Sequence, residues 1–273
     1  MNFFKFFASS VALLFLCSCD NEQYMIAFNT ENAPVQTYYL ESSLNSFVPV
    51  DSGATPEAMN TSLQVRAANT LLTAYDDGSA KFEMKVDSVD YKSDKRTVEE
   101  FRNMERLVAT QNFRYKMAKD GVVSSPVFED SLSLEEALDL VRLFLKVQPV
   151  LPGKPVAVGE SWERSSEIPG RNGNTVVYKS FTLEDHYVHD GAQMAKIAMN
   201  LKYKESPDST SGVRMESNGF ILGAGNIVFD MTRGVIVSAN MELSGDLKMS
   251  DILSGTTIPD MRVIQKIKLR SEL

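Results

Sequence analysis

The chain has 273 residues, with 36 acidic and 28 basic side chains, a net charge of −8 and 43% hydrophobic residues. No basic cluster runs beyond a pair or two of charges, so there is no electrostatic footprint for nucleic acid. The apolar fraction excludes a disordered chain, and the length allows one large β domain or two small ones.

The N-terminus reads as a targeting segment. Met1 to Lys5 carries one positive charge, and Phe6 to Leu16 is an apolar or small-residue run of signal-peptide length. That run is too short to span a bilayer, which takes about 20 apolar residues. It ends in Leu16-Cys17-Ser18-Cys19, which resembles the lipobox of bacterial lipoproteins and implies cleavage before Cys19 and acylation of its sulfur. Cys17 fits that role less well, because bulky Leu16 would occupy the preceding position. An ordinary secretory peptide cut nearby is the bland alternative. With residues 1–18 removed and Cys19 acylated, no thiol remains for a disulfide, a metal or a nucleophile. Asp20 resembles an inner-membrane retention signal in one sorting system. Together with Glu22 it resembles a surface-export signal in others, and the sequence leaves both open. Residues 19–33 are expected as a lipidated tether and 34–273 as the folded domain.

Beyond the tether, apolar residues alternate with a period of two, as half-buried antiparallel strands require. The runs are Leu63–Tyr75, Ala195–Tyr203, Val235–Met249 and Met261–Leu269, with Ile236 out of phase. Phe82, Met84 and Val86 share a phase from which Val89 and Tyr91 have slipped by one. The slip predicts a β-bulge near Asp87-Ser88. Asp77-Gly78, Asp120-Gly121, Asp190-Gly191 and Arg233-Gly234 each lie between two strand-like runs, predicting hairpins and a meander with no βαβ signal.

Two segments depart from this pattern. Thr97-Val98-Glu99-Glu100 has capping-box spacing, and Val98, Phe101, Met104 and Val108 could share one helical face. Ser133 to Val147 predicts the main helix, capped by Ser133 and Glu136, with Glu135, Asp139, Arg142 and Lys146 on a polar stripe. Its apolar sector is wider than packing on one partner demands. Pro149 ends it, and Pro152-Gly153-Lys154-Pro155 makes a stiff connection.

The stretch Leu151-Pro152-Gly153-Lys154-Pro155-Val156-Ala157-Val158-Gly159-Glu160-Ser161-Trp162 follows this helix. It resembles bacterial envelope proteins with a P-x-x-P-V-x-V-G-(D/E)-x-W signature. Gly225 to Asp230, a turn, and Gly234-Val235-Ile236 resemble their C-terminal hairpin. Such proteins look related in architecture to the periplasmic lipoprotein carriers and LppX-like lipoproteins. The resemblance spans roughly residues 34–272 and implies a curved antiparallel half-barrel with helix over its concave face. It carries over no catalytic residues, and it gives Trp162 a structural place at a sheet edge.

Candidate chemistry is thin. His186 and His189 are the only histidines. On a strand, positions i and i+3 face opposite ways, so an exposed acidic strand end is expected rather than a metal site. Gly159-Glu160-Ser161-Trp162-Glu163 lacks the second glycine of a nucleophile elbow. Gly223-Ala224-Gly225 lacks the third glycine of a dinucleotide loop, and strand bending or close backbone approach is the expected use. A carboxylate pair is not singled out among so many acids. The expected fold is therefore α+β: a curved antiparallel half-barrel sheet with one main helix on its concave face. The expected role is non-enzymatic, without cofactor or metal. It is that of a membrane-anchored envelope lipoprotein, facing the periplasm or cell surface, that binds lipid or another hydrophobic ligand. Phe101, Leu140, Phe144, Met199, Met241 and Leu243 are the candidate lining. The plain alternative is that the helix simply completes the core. A scaffolding lipoprotein that docks an envelope protein is the runner-up, and an enzyme comes third.

Overall fold

The computed structural model describes residues 22–48, 57–94, 96–128, 139–168, 175–204, 208–210, 213–217, 219–251 and 257–272. Cys19, Ser133 and Glu136, with the expectations placed on them, lie outside the described residues.

Alternation becomes strand almost everywhere it was expected. The N-terminal half is a meander of β2 (Gln36–Val48), β3 (Glu57–Ala74), β4 (Ala80–Ser93), β5 (Phe113–Met117) and β6 (Val123–Phe128). Helix α1 (Val98–Ala109) is inserted between β4 and β5, and helix α2 (Leu140–Val147) follows β6. The C-terminal half runs through β8 (Ser161–Ile168), β9 (Thr175–His189), β10 (Ala192–Tyr203), β13 (Ile221–Asp230), β14 (Val235–Asp251) and β15 (Thr257–Glu272). Short strands β11 (Asp208–Thr210) and β12 (Val213–Ser217) attach through β14. The last strand, β15, pairs with β2, so the halves join in one large curved antiparallel sheet ordered β6-β5-β4-β3-β2-β15-β14-β13-β10-β9-β8. The sheet does not close: among the described residues β6 and β8 end its main path, and β11 ends the short branch on β14.

Two of the irregularities fall where the apolar phase slips. Arg66 pairs with Ser88 and Ala67 with Val86, which leaves Asp87 as the extra residue of a bulge, within 3.6 Å of Arg66. A second bulge lies between Ser238 and Ile236 of β14, so Val237 is the residue left over. Ile236 thereby turns inward and is fully buried, which accounts for its broken phase. All four Asp-Gly or Arg-Gly pairs are hairpin turns with the glycine at positive φ. At Asp190-Gly191 the aspartate shares it, as a tight hairpin turn requires.

Residues 22–33 correct the expectation of a tether. Gln23–Tyr24 form a short strand, β1, paired with β7 (Val156–Ala157). Tyr24, Ile26, Phe28 and Thr30 then alternate inward, with Ile26, Phe28 and Thr30 buried. The segment laces one end of the sheet together. Phe28 N donates to Lys119 O, Asn29 N to Gly234 O, and Thr30 Oγ1 to Gly78 O, at 2.8–2.9 Å.

The helices differ from expectation in length. Helix α1 has its reciprocal capping box, Thr97 N donating to Glu100 Oε2 at 2.6 Å and Glu100 N to Thr97 Oγ1 at 3.4 Å. It buries Val108 and half-buries Phe101 and Met104, but leaves Val98 in solvent. Helix α2 does not run continuously from Ser133. Asp139 has extended backbone (φ −80°, ψ 101°) and caps the helix by accepting from Arg142 N at 3.1 Å, so the helical turns begin at Leu140. With eight residues α2 is the shorter of the two helices.

Candidate functional site

Helix α2 is buried on nearly every side. Leu140, Val141, Leu143, Phe144, Leu145 and Val147 all join one apolar cluster with the inward residues of the sheet. Phe144 packs between Tyr38, Phe113 and Tyr115, with ring centroids 5.6–6.2 Å apart. Burial of such a side chain contributes about 2–3 kcal/mol. Of the residues expected to line a ligand site, Leu140, Phe144, Met199, Met241 and Leu243 are buried in this cluster. Phe101 is half-buried on α1, with its ring edge-on to Tyr91. Beside α2, a cavity bounded by Phe28, Tyr38, Phe82, Tyr115, Phe144 and Gln148 holds only about 10 Å³.

Polar ties fix the helix at both ends. At its start, Leu140 N donates to Gln111 Oε1 at 3.0 Å. At its end, Lys179 Nζ donates to the carbonyls of Leu145 and Gln148 at 2.7 and 2.8 Å. A cation there complements the negative end of the helix. Lys179 is fully enclosed, and that burial pushes its ammonium down to about 7. Lys146 corrects the expected polar stripe. It is 1% exposed, donates to Gln265 Oε1 at 3.2 Å, and lies 5.3 Å from the centroid of the Tyr203 ring. Gln265 passes the network on to Ser42 Oγ at 3.2 Å. These buried polar groups escaped a search for apolar residues. A readable signal exists, however: Lys179 stands in the inward phase of Val177, Phe181 and Leu183, and Gln265 in that of Val263 and Ile267.

Trp162 takes the structural place expected of it, on edge strand β8. Its indole stacks on Phe181 at 5.4 Å and donates from Nε1 to Val150 O at 2.8 Å. Ser161 begins that strand with its hydroxyl 2.8 Å from Thr182 Oγ1, in none of the geometry of a strand-to-helix elbow. His186 and His189 stand on opposite faces of β9. His189 is exposed beside Asp190, whereas His186 is half-buried and stacks on Tyr24 at 3.9 Å, so this strand end is only partly solvated. Among the described residues no three His, Cys, Asp or Glu side chains form a metal-binding group, and no helix is long and apolar enough to cross a membrane. A Cβ on Gly225 would overlap Asn240 O, which identifies this glycine as a close backbone approach.

The sheet face opposite α2 carries a broad open groove of about 1040 Å³. It is lined by Tyr178, Ser180, Asn200, Lys202, Leu222 and Ala224, with Glu163 and Glu242 beside them. Tyr178 and Leu222 are about half exposed, and the Lys202 ammonium lies over the Tyr178 ring at 5.8 Å. The lining is too polar for an acyl chain and suits a surface that also offers hydrogen bonds.

No family model and no curated protein matches the chain. Among solved structures it is similar to DynF from the dynemicin biosynthesis pathway of Micromonospora chersina, at 9% identity and TM-score 0.25, covering 93% of this chain and 85% of that one. It is also similar to a mutant porin of Rh. blastica, at 8% identity and TM-score 0.22, over 88% and 100% of the two chains. A third is OmpF of Salmonella typhi in complex with daunomycin, at 7% identity and TM-score 0.24, over 89% and 100%. Similarities this loose carry no argument about fold or function.

Proposed function

We propose that the chain is a non-enzymatic lipoprotein of the bacterial cell envelope, anchored through Cys19, that binds lipid or another apolar ligand. In this reading the sheet is a half-barrel, and α2 is the cover of its concave face. The single observation that carries the reading is α2 itself. It is a two-turn apolar helix lodged against an open curved sheet, and its Leu140 and Phe144 share one buried apolar cluster with Met199, Met241 and Leu243 of the sheet, the surface an acyl chain would use. Because the space beside it is about 10 Å³, uptake requires α2 to move aside and release Lys179. The test is native mass spectrometry with solvent extraction on the chain purified from its own envelope. A stoichiometric, extractable lipid mass is expected, and it should be lost in a folded Phe144→Asp variant. A clean apo mass after incubation with envelope lipids overturns the reading.

One observation favours a second reading, in which the lipoprotein docks an envelope protein. The groove opposite α2 presents half-exposed Tyr178 and Leu222, and an exposed aromatic ring is the kind of side chain enriched at protein interfaces. In that case a photo-cross-linker at Leu222 captures one partner in the envelope, and Tyr178→Ala abolishes capture. Lipid binding would play no role in it.

A further inference from the structure

The four hairpin turns at 75–79, 118–122, 190–191 and 231–234 lie at one end of the sheet, and residues 26–30 cross that end. The same end carries exposed apolar side chains around its rim. Val122 stands on the β5–β6 turn, Tyr75 on the β3–β4 turn, and Val35 just before β2. Val188 is near the tip of β9, and Met25 and Val158 flank the β1–β7 pair. Val188 is 66% exposed and Met25 54%, so neither serves the core. Three cations between them are tied to acids, Lys116 to Asp77, Lys119 to Glu31 and Arg233 to Asp230, at 2.8–3.5 Å, while Glu22, Asp76 and Asp190 are exposed. The rim therefore joins apolar side chains and paired cations with a few exposed acids, in a chain whose net charge is −8.

The chain also leaves the fold at this end. Glu22 directly precedes β1, and only Asp20 and Asn21 separate it from Cys19, a reach of at most about 10 Å. An acyl anchor on Cys19 would hold the Met25 and Val158 side of the rim within that distance of the bilayer. Tyr178 of the groove lies ten residues along β9 from Val188, roughly 33 Å, and five from Leu183, which accepts from Gly159 N beside Val158, roughly 17 Å.

We infer that this rim is a membrane seat: Met25, Val35, Tyr75, Val122, Val158 and Val188 dip into the interfacial layer of the bilayer that holds the anchor. The inference rests on the Cys19 anchor of the function proposed above. The occupant is a lipid surface because the tether is too short to place another protein between rim and bilayer. With its cations already paired and its remaining exposed charges acidic, the rim gains by burying apolar surface among headgroups and nothing from anionic lipid, so zwitterionic lipid suffices. The domain then stands upright, with the Tyr178–Leu222 groove pointing away from the membrane.

The test uses the full acylated chain in phosphatidylcholine vesicles containing brominated acyl chains, with and without phosphatidylglycerol. Acylation leaves the processed chain without a free thiol, so Val188→Cys, Val122→Cys and Leu222→Cys each accept one environment-sensitive fluorophore. These positions are on the surface, and the label leaves the core untouched. Bromine is expected to quench the labels at 188 and 122 at least about twofold more than that at 222, with little change on adding phosphatidylglycerol. Equal quenching at all three sites, with the protein floating with the vesicles, overturns the seat and leaves the anchor standing. Protein that fails to float, with no acyl mass on its N-terminus, overturns the anchor and the seat together.

Discussion

Lys179 is the residue whose ionisation is most tightly coupled to the fold. Its Nζ is enclosed with two helix carbonyls, and burial lowers its pKa from 10.5 to about 7. Between those two values the unfolded chain holds a proton that the folded chain does not. Stability therefore rises with pH across that window, by an amount on the order of a few kcal/mol at most, and the rise is complete above the unfolded value. Below pH 7 both states are protonated, and the penalty is constant. The urea midpoint of the native chain, minus that of Lys179→Met, should climb from pH 7 towards 10.5. Parallel curves would show that Lys179 keeps its ordinary pKa. Subtracting the variant removes the opposing contributions of buried Tyr38 and Tyr115, whose raised pKa values weaken the fold only as the unfolded tyrosines ionise. Gly225 gives a second residue-scale expectation. Because the new methyl would overlap Asn240 O, Gly225→Ala must push β13 away from β14 and should cost on the order of 3 kcal/mol in thermal unfolding. A variant within a few tenths of the native value would mean that the two strands adjust freely.

At the scale of elements, strands were more legible than helices. A period-two pattern states both the conformation and the buried face, so the slip at Asp87 could be located from Phe82 to Tyr91 alone. Helix α2 was misjudged at its start because Ser133 and Asp139 are both good caps, and the apolar period runs through both. Asp139 takes extended backbone and caps the helix at Leu140. The N-terminal segment was misjudged for another reason. Polar Glu22, Gln23, Asn29 and Glu31 masked the alternation of Tyr24, Ile26 and Phe28, which the structure buries or half-buries. The burial of the apolar residues around α2 was legible, and the lysine that ties α2 to the sheet was passed over because of its charge. Helix α1 differs from α2 in what holds it. It rests against β4 with Val108 buried and only half-buried Phe101 and Met104 beside it, and its capping box is exposed. Its amides should exchange through local opening, several kcal/mol more easily than those of β14 and β15. Thr97→Ala should widen the gap by about 1 kcal/mol. Hydrogen exchange followed by mass spectrometry checks both, and equal protection of α1 and β14 would show that the helix opens only with the whole sheet.

Across the whole molecule, the pairing of β2 with β15 decides the architecture, and no local pattern announces it. Each half reads as a meander by itself. The contact that joins them brings Tyr39 OH to Glu272 Oε2 at 3.0 Å across 233 residues of sequence. Strand β15 also carries Gln265, the link between Lys146 of α2 and Ser42 of β2. The last strand of the chain is thus central in the sheet, and β2 stays an unpaired edge until it arrives. Contacts this distant make folding slow, because the loop-closure entropy is spent before the pairing repays it. They also make the folded sheet one cooperative unit, since neither half can bury its inner face without β15. In the full chain, Trp162 emission reports edge strand β8, far-UV circular dichroism reports the whole sheet, and their urea midpoints should coincide. Deleting residues 257–273 should remove the cooperative transition and expose dye-binding apolar surface, although strand β8 and its partner β9 are both retained. A truncated chain that kept native Trp162 emission and a sharp transition would mean that β8–β14 fold without β15. The two halves would then be separate units that β15 merely joins.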